Sequence, residues 1–166
     1  MNPLWRPDTN SASLREWADH LHKEAKRVFL RDKAHAHFVF SFGDSGPVAV
    51  TPVAPKTPQD QIHNAIMVAI RKDNLYGIID VGEAWTYFPK GGKDHTAYQL
   101  LDGEKRVSDL QDGDRTEALY LRMESGDGDC VVYLDRIVRD GDKVGLGEHR
   151  TISHEDLLWF ANPRKA

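Results

Sequence analysis

Only one cysteine, Cys130, occurs in the 166 residues, so no disulfide can close within the chain and a thiolate-rich metal site is excluded. No long apolar run is present either. The longest spans Ala65 to Ile70, far short of the roughly 20 residues a membrane-crossing helix needs. The start, Met1 to Asp8, has prolines but no apolar segment, so no signal peptide is expected. An excess of basic charge is also missing. Lys and Arg number 22 against 26 Asp and Glu, a net −4 with His neutral, which argues against nucleic acid or an anionic membrane as a partner. G-x-G-x-x-G, Walker and G-x-S-x-G patterns are absent; Gly91-Gly92-Lys93 has neither the following Ser or Thr nor the upstream Gly. What remains, with 40% hydrophobic and 29% charged residues, is one soluble, cytoplasmic, globular domain.

The periodicity sketches its build. Residues 1–12 hold two prolines and read as a loose arm ahead of a single domain over 13–166. Ser13 and Glu16 have capping-box spacing, and Leu14, Trp17, Leu21, Ala25 and Val28 form one apolar stripe, predicting a helix over 13–32. Phe38, Phe40 and Phe42 alternate as in a strand. Val48 to Val53 is the next strand, ended or kept at an edge by Pro52. Thr57-Pro58-Gln59-Asp60 starts a second helix, with Thr57 as cap, and the helix stops near Asp73-Asn74.

Tyr76 to Phe88 reads as a long strand in which Gly77 and Gly82 mark bulges or close backbone approaches. Residues 90–116 are polar and read as a long loop. Three strands follow, Ala118–Met123, Cys130–Val138 and Lys143–Gly147, the last two joined at Asp140-Gly141. Ser153 and Asp156 repeat the capping spacing before a short terminal helix. The order α-β-β-α-β-β-β-β predicts an α+β fold: a mainly antiparallel sheet of six strands, with two main helices covering one face.

Candidate chemistry is sparse. His20 and His22 lie two apart on a helix and point in different directions, so they cannot share an ion. His35 and His37 would share a strand face, which is ligand-competent, although a half-exposed strand histidine is the simpler reading. Three Asp-Gly-Asp tripeptides, at 112–114, 127–129 and 140–142, lack the rest of a calcium loop and read as turns. Glu83 falls in phase with Ile79, Val81, Trp85 and Tyr87; desolvation there would suit a general acid or base, whereas an arginine (Arg106, Arg115, Arg122 or Arg136) would make it structural. Cys130 opens a strand and reads as a packed small hydrophobe.

The His35-x-His37 pair followed by Ser41-x-x-Asp44 resembles the motif of JAMM-type zinc isopeptidases, which implies zinc and an activated water. The step from His37 to Ser41 is shorter than in that family, no Pro follows His37, and no Glu is evident ahead of the pair. A second resemblance rests on Gly82-Glu83-Ala84-Trp85, Arg106-Val107 and Arg115-Thr116-Glu117-Ala118. With the order of elements over about 20–150, these words look like small bacterial and phage proteins of unknown function. That resemblance implies an α+β fold in a prokaryotic cytosol and carries no activity.

Three readings follow. The first is a domain without a catalytic constellation or cofactor, acting through a protein partner or self-association at the 90–116 loop with Tyr98, Arg106, Arg115 and the aromatic Trp5. The second is a zinc hydrolase using His35, His37, Asp44 and Glu83. The third is a small-ligand binder with a cleft between the second helix and the sheet.

Overall fold

The computed structural model describes residues 10–88, 95–101, 104–105 and 107–153. Helix α1 spans Asn10–Asp32, followed by strands β1 (His37–Gly43) and β2 (Gly46–Val53). Helix α2 (Gln59–Asp73) leads to β3 (Gly77–Thr86), the short helix α3 (His95–Leu101) and two 3-10 turns. The chain then makes β4 (Thr116–Ser125), β5 (Cys130–Asp140) and β6 (Lys143–Ser153). All six strands form one antiparallel sheet in the order β2-β1-β3-β4-β5-β6. The expected α+β class and element order are thus present, and β2, with Pro52, is an edge strand.

The two main helices do not share a face. Alternation along β3 sends Ile79 and Val81 to a core with Leu14, Ala18, Ala25 and Phe29 of α1. It sends Ile78 the other way, to Val39 of β1 and Ile62 and Ile66 of α2. The sheet is therefore a middle layer, and the expectation of helices on one side is corrected. Apolar residues appear on both sides of β3, so its pattern never specified a single covered face.

Helix α1 lies over β3, β4 and β6. Arg15 bonds Asp129 through both carboxylate oxygens, His22 meets Asp135, and Lys33 donates to the carbonyl of Asp142. The helix begins at Asn10, three residues before the supposed cap, so Ser13 is an interior, fully buried residue. This also takes residues 10–12 from the expected arm. Thr57 does not cap α2: its hydroxyl donates to Ala54 O at 2.6 Å, and the cap position is Pro58, without a side-chain bond. At the other end Asn74 takes the left-handed conformation (φ 50°) and bonds Ile70 O, stopping the helix where expected.

Strand β3 pairs with β4 without interruption through Gly77 and Gly82, so these glycines are close approaches and not bulges. A Cβ on Gly77 would lie 2.6 Å from Leu14 Cδ2, and one on Gly82 would lie 3.3 Å from the His37 ring. The segment expected as one loop carries α3 and two 3-10 turns, one of them the Asp112–Asp114 tripeptide. The tripeptides at 127–129 and 140–142 lie at the β4–β5 and β5–β6 connections, where Gly141 supplies φ +59°. Strand β6 extends to Ser153, six residues beyond the expected end at Gly147. The expected terminal helix, like residues 1–9, lies outside the described residues.

Candidate functional site: a cleft between the second helix and the sheet

Among the described residues, α2 packs on the face of the sheet opposite α1 over β1, β3 and Val53 of β2. Beyond the helix a cleft of about 970 Å³ opens, lined by Gln59, Asp60 and His63 of α2, by His35, by Lys56 and Thr57 of the preceding loop, and by residues of the sheet. Its floor comes from side chains that alternate onto this face: His37 of β1, Asp80 and Ala84 of β3, and Tyr120 and Arg122 of β4. The register makes them neighbours, since Asp80 pairs with Arg122 and Gly82 with Tyr120.

Three of these groups bind one another. His37 Nε2 contacts Asp80 Oδ1, while the Tyr120 hydroxyl donates to Asp80 Oδ2 at 3.1 Å and lies 3.0 Å from His37 Nε2. Asp80 is 3% exposed, so its carboxylate is held by the imidazole and the phenol rather than by bulk water. Nε2 is turned inward, and no hydrogen bond of Nδ1 of His37 is made among the described residues. Burial, and then the nearby Asp80 charge, push the Tyr120 phenol well above its ordinary range, so it remains a neutral donor. Beside this triad Arg122 reaches Glu124 Oε2 at 3.2 Å; Glu124 is fully buried, and the pair neutralises a charge that burial alone would penalise.

An apolar cavity of about 290 Å³ adjoins, lined by Val39, Ile62, Ile66 and Ile78 and sharing Val53, Ala54, Thr57 and Ile62 with the cleft. One end of the combined space is therefore imidazole, carboxylate and phenol, and the other is aliphatic.

The residues singled out from the sequence are distributed as follows. His35 and His37 both line the cleft, but β1 begins at His37, so strand alternation does not pair them. His35 Nδ1 donates to Ala36 O at 2.5 Å, and its backbone N–H donates to Glu83 Oε2 at 3.1 Å. Asp44 lies in the turn after β1, a strand length of about 20 Å from His37. Glu83 faces Arg139, whose Nη2 lies 4.0 Å away and bonds Glu117 at 2.8 Å, an arginine not among those anticipated. Arg115 places its guanidinium 5.7 Å from the Trp85 ring centre. The Tyr98 side chain, Arg106 and Trp5 lie outside the described residues. Cys130 is buried in β5, and burial pushes its thiol up to about 11.

Among the described residues, a single grouping of three side chains has the spacing to hold a metal ion: His22, Asp135 and His149, on the opposite face from the cleft. His35, His37, Asp44 and Glu83 are not part of it. Asp80, Tyr120, Asp135 and His149 escaped the sequence reading. The available signal was a lone acid inside an apolar strand, as in Ile78-Ile79-Asp80-Val81.

Among the described residues no helix is long and apolar enough to cross a membrane. No curated protein and no solved structure matches the chain. A family model, that of bacteriophage lambda protein ea47, matches residues 6–166, in keeping with the resemblance to phage proteins, and the chain belongs to that family.

Proposed function

We propose that the chain is a small-ligand-binding protein whose cleft between α2 and the sheet takes an amphipathic molecule. The observation that carries this reading is the joining of a polar floor, His37–Asp80–Tyr120, to an aliphatic cavity under α2. A hydrogen-bonding head group would meet His37 Nδ1, and an apolar body would lie against Val53, Ala54 and Ile62. The buried, free Cys130 favours a reducing cytosol as its setting.

Titration with 1-anilinonaphthalene-8-sulfonate, an amphipathic anion, tests the reading. Saturable, equimolar binding is expected for the folded protein. Ala54→Trp, which fills the shared wall, should abolish it, and His37→Ala should weaken it. Non-saturating binding, or binding indifferent to Ala54→Trp, overturns the proposal.

A protein partner remains the second reading, favoured by Val48 and Val50, which are 61% and 56% exposed on the edge strand β2. Val48→Lys with Val50→Lys would then abolish self-association, measured by analytical ultracentrifugation. A wild-type chain that stays monomeric at high concentration removes the self-associating form of this reading.

A further inference from the structure

We infer that His22, Asp135 and His149 form a binding site for a divalent transition ion of the zinc class, on the face away from the cleft. The three come from α1, β5 and β6, and one ligand atom from each lies within 4.8 Å of the others. Asp135 pairs with His149 across β5 and β6, and α1 lays His22 over both. His22 Nε2 is 2.5 Å from Asp135 Oδ2, and His149 Nδ1 is 2.9 Å from Asp135 Oδ1. Two imidazoles thus address separate oxygens of one carboxylate that is 2% exposed.

An ion about 2.0–2.2 Å from each ligand needs them about 3.4 Å apart, so small side-chain rotations convert this hydrogen-bonded set into a coordination set. Two nitrogens and one carboxylate oxygen are a donor set that suits zinc and its neighbours, and they leave a fourth position for water.

The surroundings hold the ligands in place. His149 Nε2 bonds Thr151 Oγ1 at 2.8 Å, which turns its other nitrogen towards Asp135. Tyr133 packs against both imidazoles, with centroids 4.8 Å from His22 and 6.0 Å from His149. Its hydroxyl donates to Asp19 at 2.6 Å, which adds a second negative charge near the site. His149 is 40% exposed and provides the way in from solvent.

Cobalt(II) titration of the full chain, followed by visible absorption, tests the assignment. Intense bands of four- or five-coordinate cobalt are expected at one equivalent, with their loss on adding zinc. His149→Ala and His22→Ala should remove them, while His37→Ala in the cleft should leave them intact. Thr151→Val should keep the bands but weaken affinity by about tenfold, because only the orienting bond is lost. His149 is on the surface, so its variant tests the site without threatening the fold; a circular dichroism spectrum matching wild type verifies this. A cobalt spectrum like that of the free ion, or bands that survive both histidine substitutions, overturns the assignment.

Discussion

Ile78 and Ile79 are adjacent in β3 and both fully buried, yet they belong to different cores, one under α2 and the other under α1. The sheet separates two hydrophobic layers that share only its backbone. Ile78→Ala and Ile79→Ala are each expected to cost about 2–4 kcal/mol, and urea unfolding followed at both near-ultraviolet and far-ultraviolet wavelengths should show one transition for either variant. Two separated transitions in the Ile78 variant would mean that α2 and its layer unfold on their own.

Gly77 sits under Leu14, where an added Cβ would come within 2.6 Å of the leucine methyl. Leu14 is fully buried and has little room to retreat. Gly77→Ala should therefore destabilise the fold by about 1–3 kcal/mol. In a double-mutant cycle with Leu14→Ala the two costs should fall short of additive, because the smaller helix residue accepts the new methyl.

Tyr120→Phe keeps the ring and deletes the hydroxyl that donates to Asp80. The expected loss is about 1–2 kcal/mol, measured by denaturant titration, since a buried carboxylate gives up one of its partners. The same change frees His37 on one side, so dye binding in the cleft should weaken in parallel.

Alkaline pH should destabilise the protein through Cys130. Below about pH 8.5 the thiol is protonated in both folded and unfolded chains. Above it the unfolded chain ionises first, while burial holds the folded thiol up to about 11, so stability falls across that interval. Thermal unfolding between pH 8 and 11 should show a shallower decline in Cys130→Ala than in wild type. Identical slopes would assign the decline to other groups, such as Tyr133, whose phenol burial pushes up to about 12.

Much of the architecture was legible because strand alternation and helix stripes are local signals. Phe38, Phe40 and Phe42 announced β1, Asp140-Gly141 announced a hairpin, and Pro52 placed β2 at an edge. The helix start was misread at Ser13 because a serine three residues before a glutamate occurs inside helices as well as at their ends. The sites were less legible because they depend on register. Nothing local links His37 to Tyr120, 83 residues later, or His22 to Asp135, 113 residues later. Only the pairing of β3 with β1 and β4 gathers His37, Asp80 and Tyr120, and only the pairing of β5 with β6 under α1 gathers His22, Asp135 and His149.

The path of α1 over β3, β4 and β6 has a consequence for how the chain comes off the ribosome. Its anchors, Arg15 on Asp129, His22 on Asp135 and Lys33 on Asp142, span 114, 113 and 109 residues. The apolar side of the first helix to be synthesised waits for Ile79 and Val81 of β3 and for Leu119, Leu121 and Met123 of β4, and its polar anchors close later still. A nascent chain halted before β3 therefore exposes a sticky surface that favours chaperone capture or aggregation.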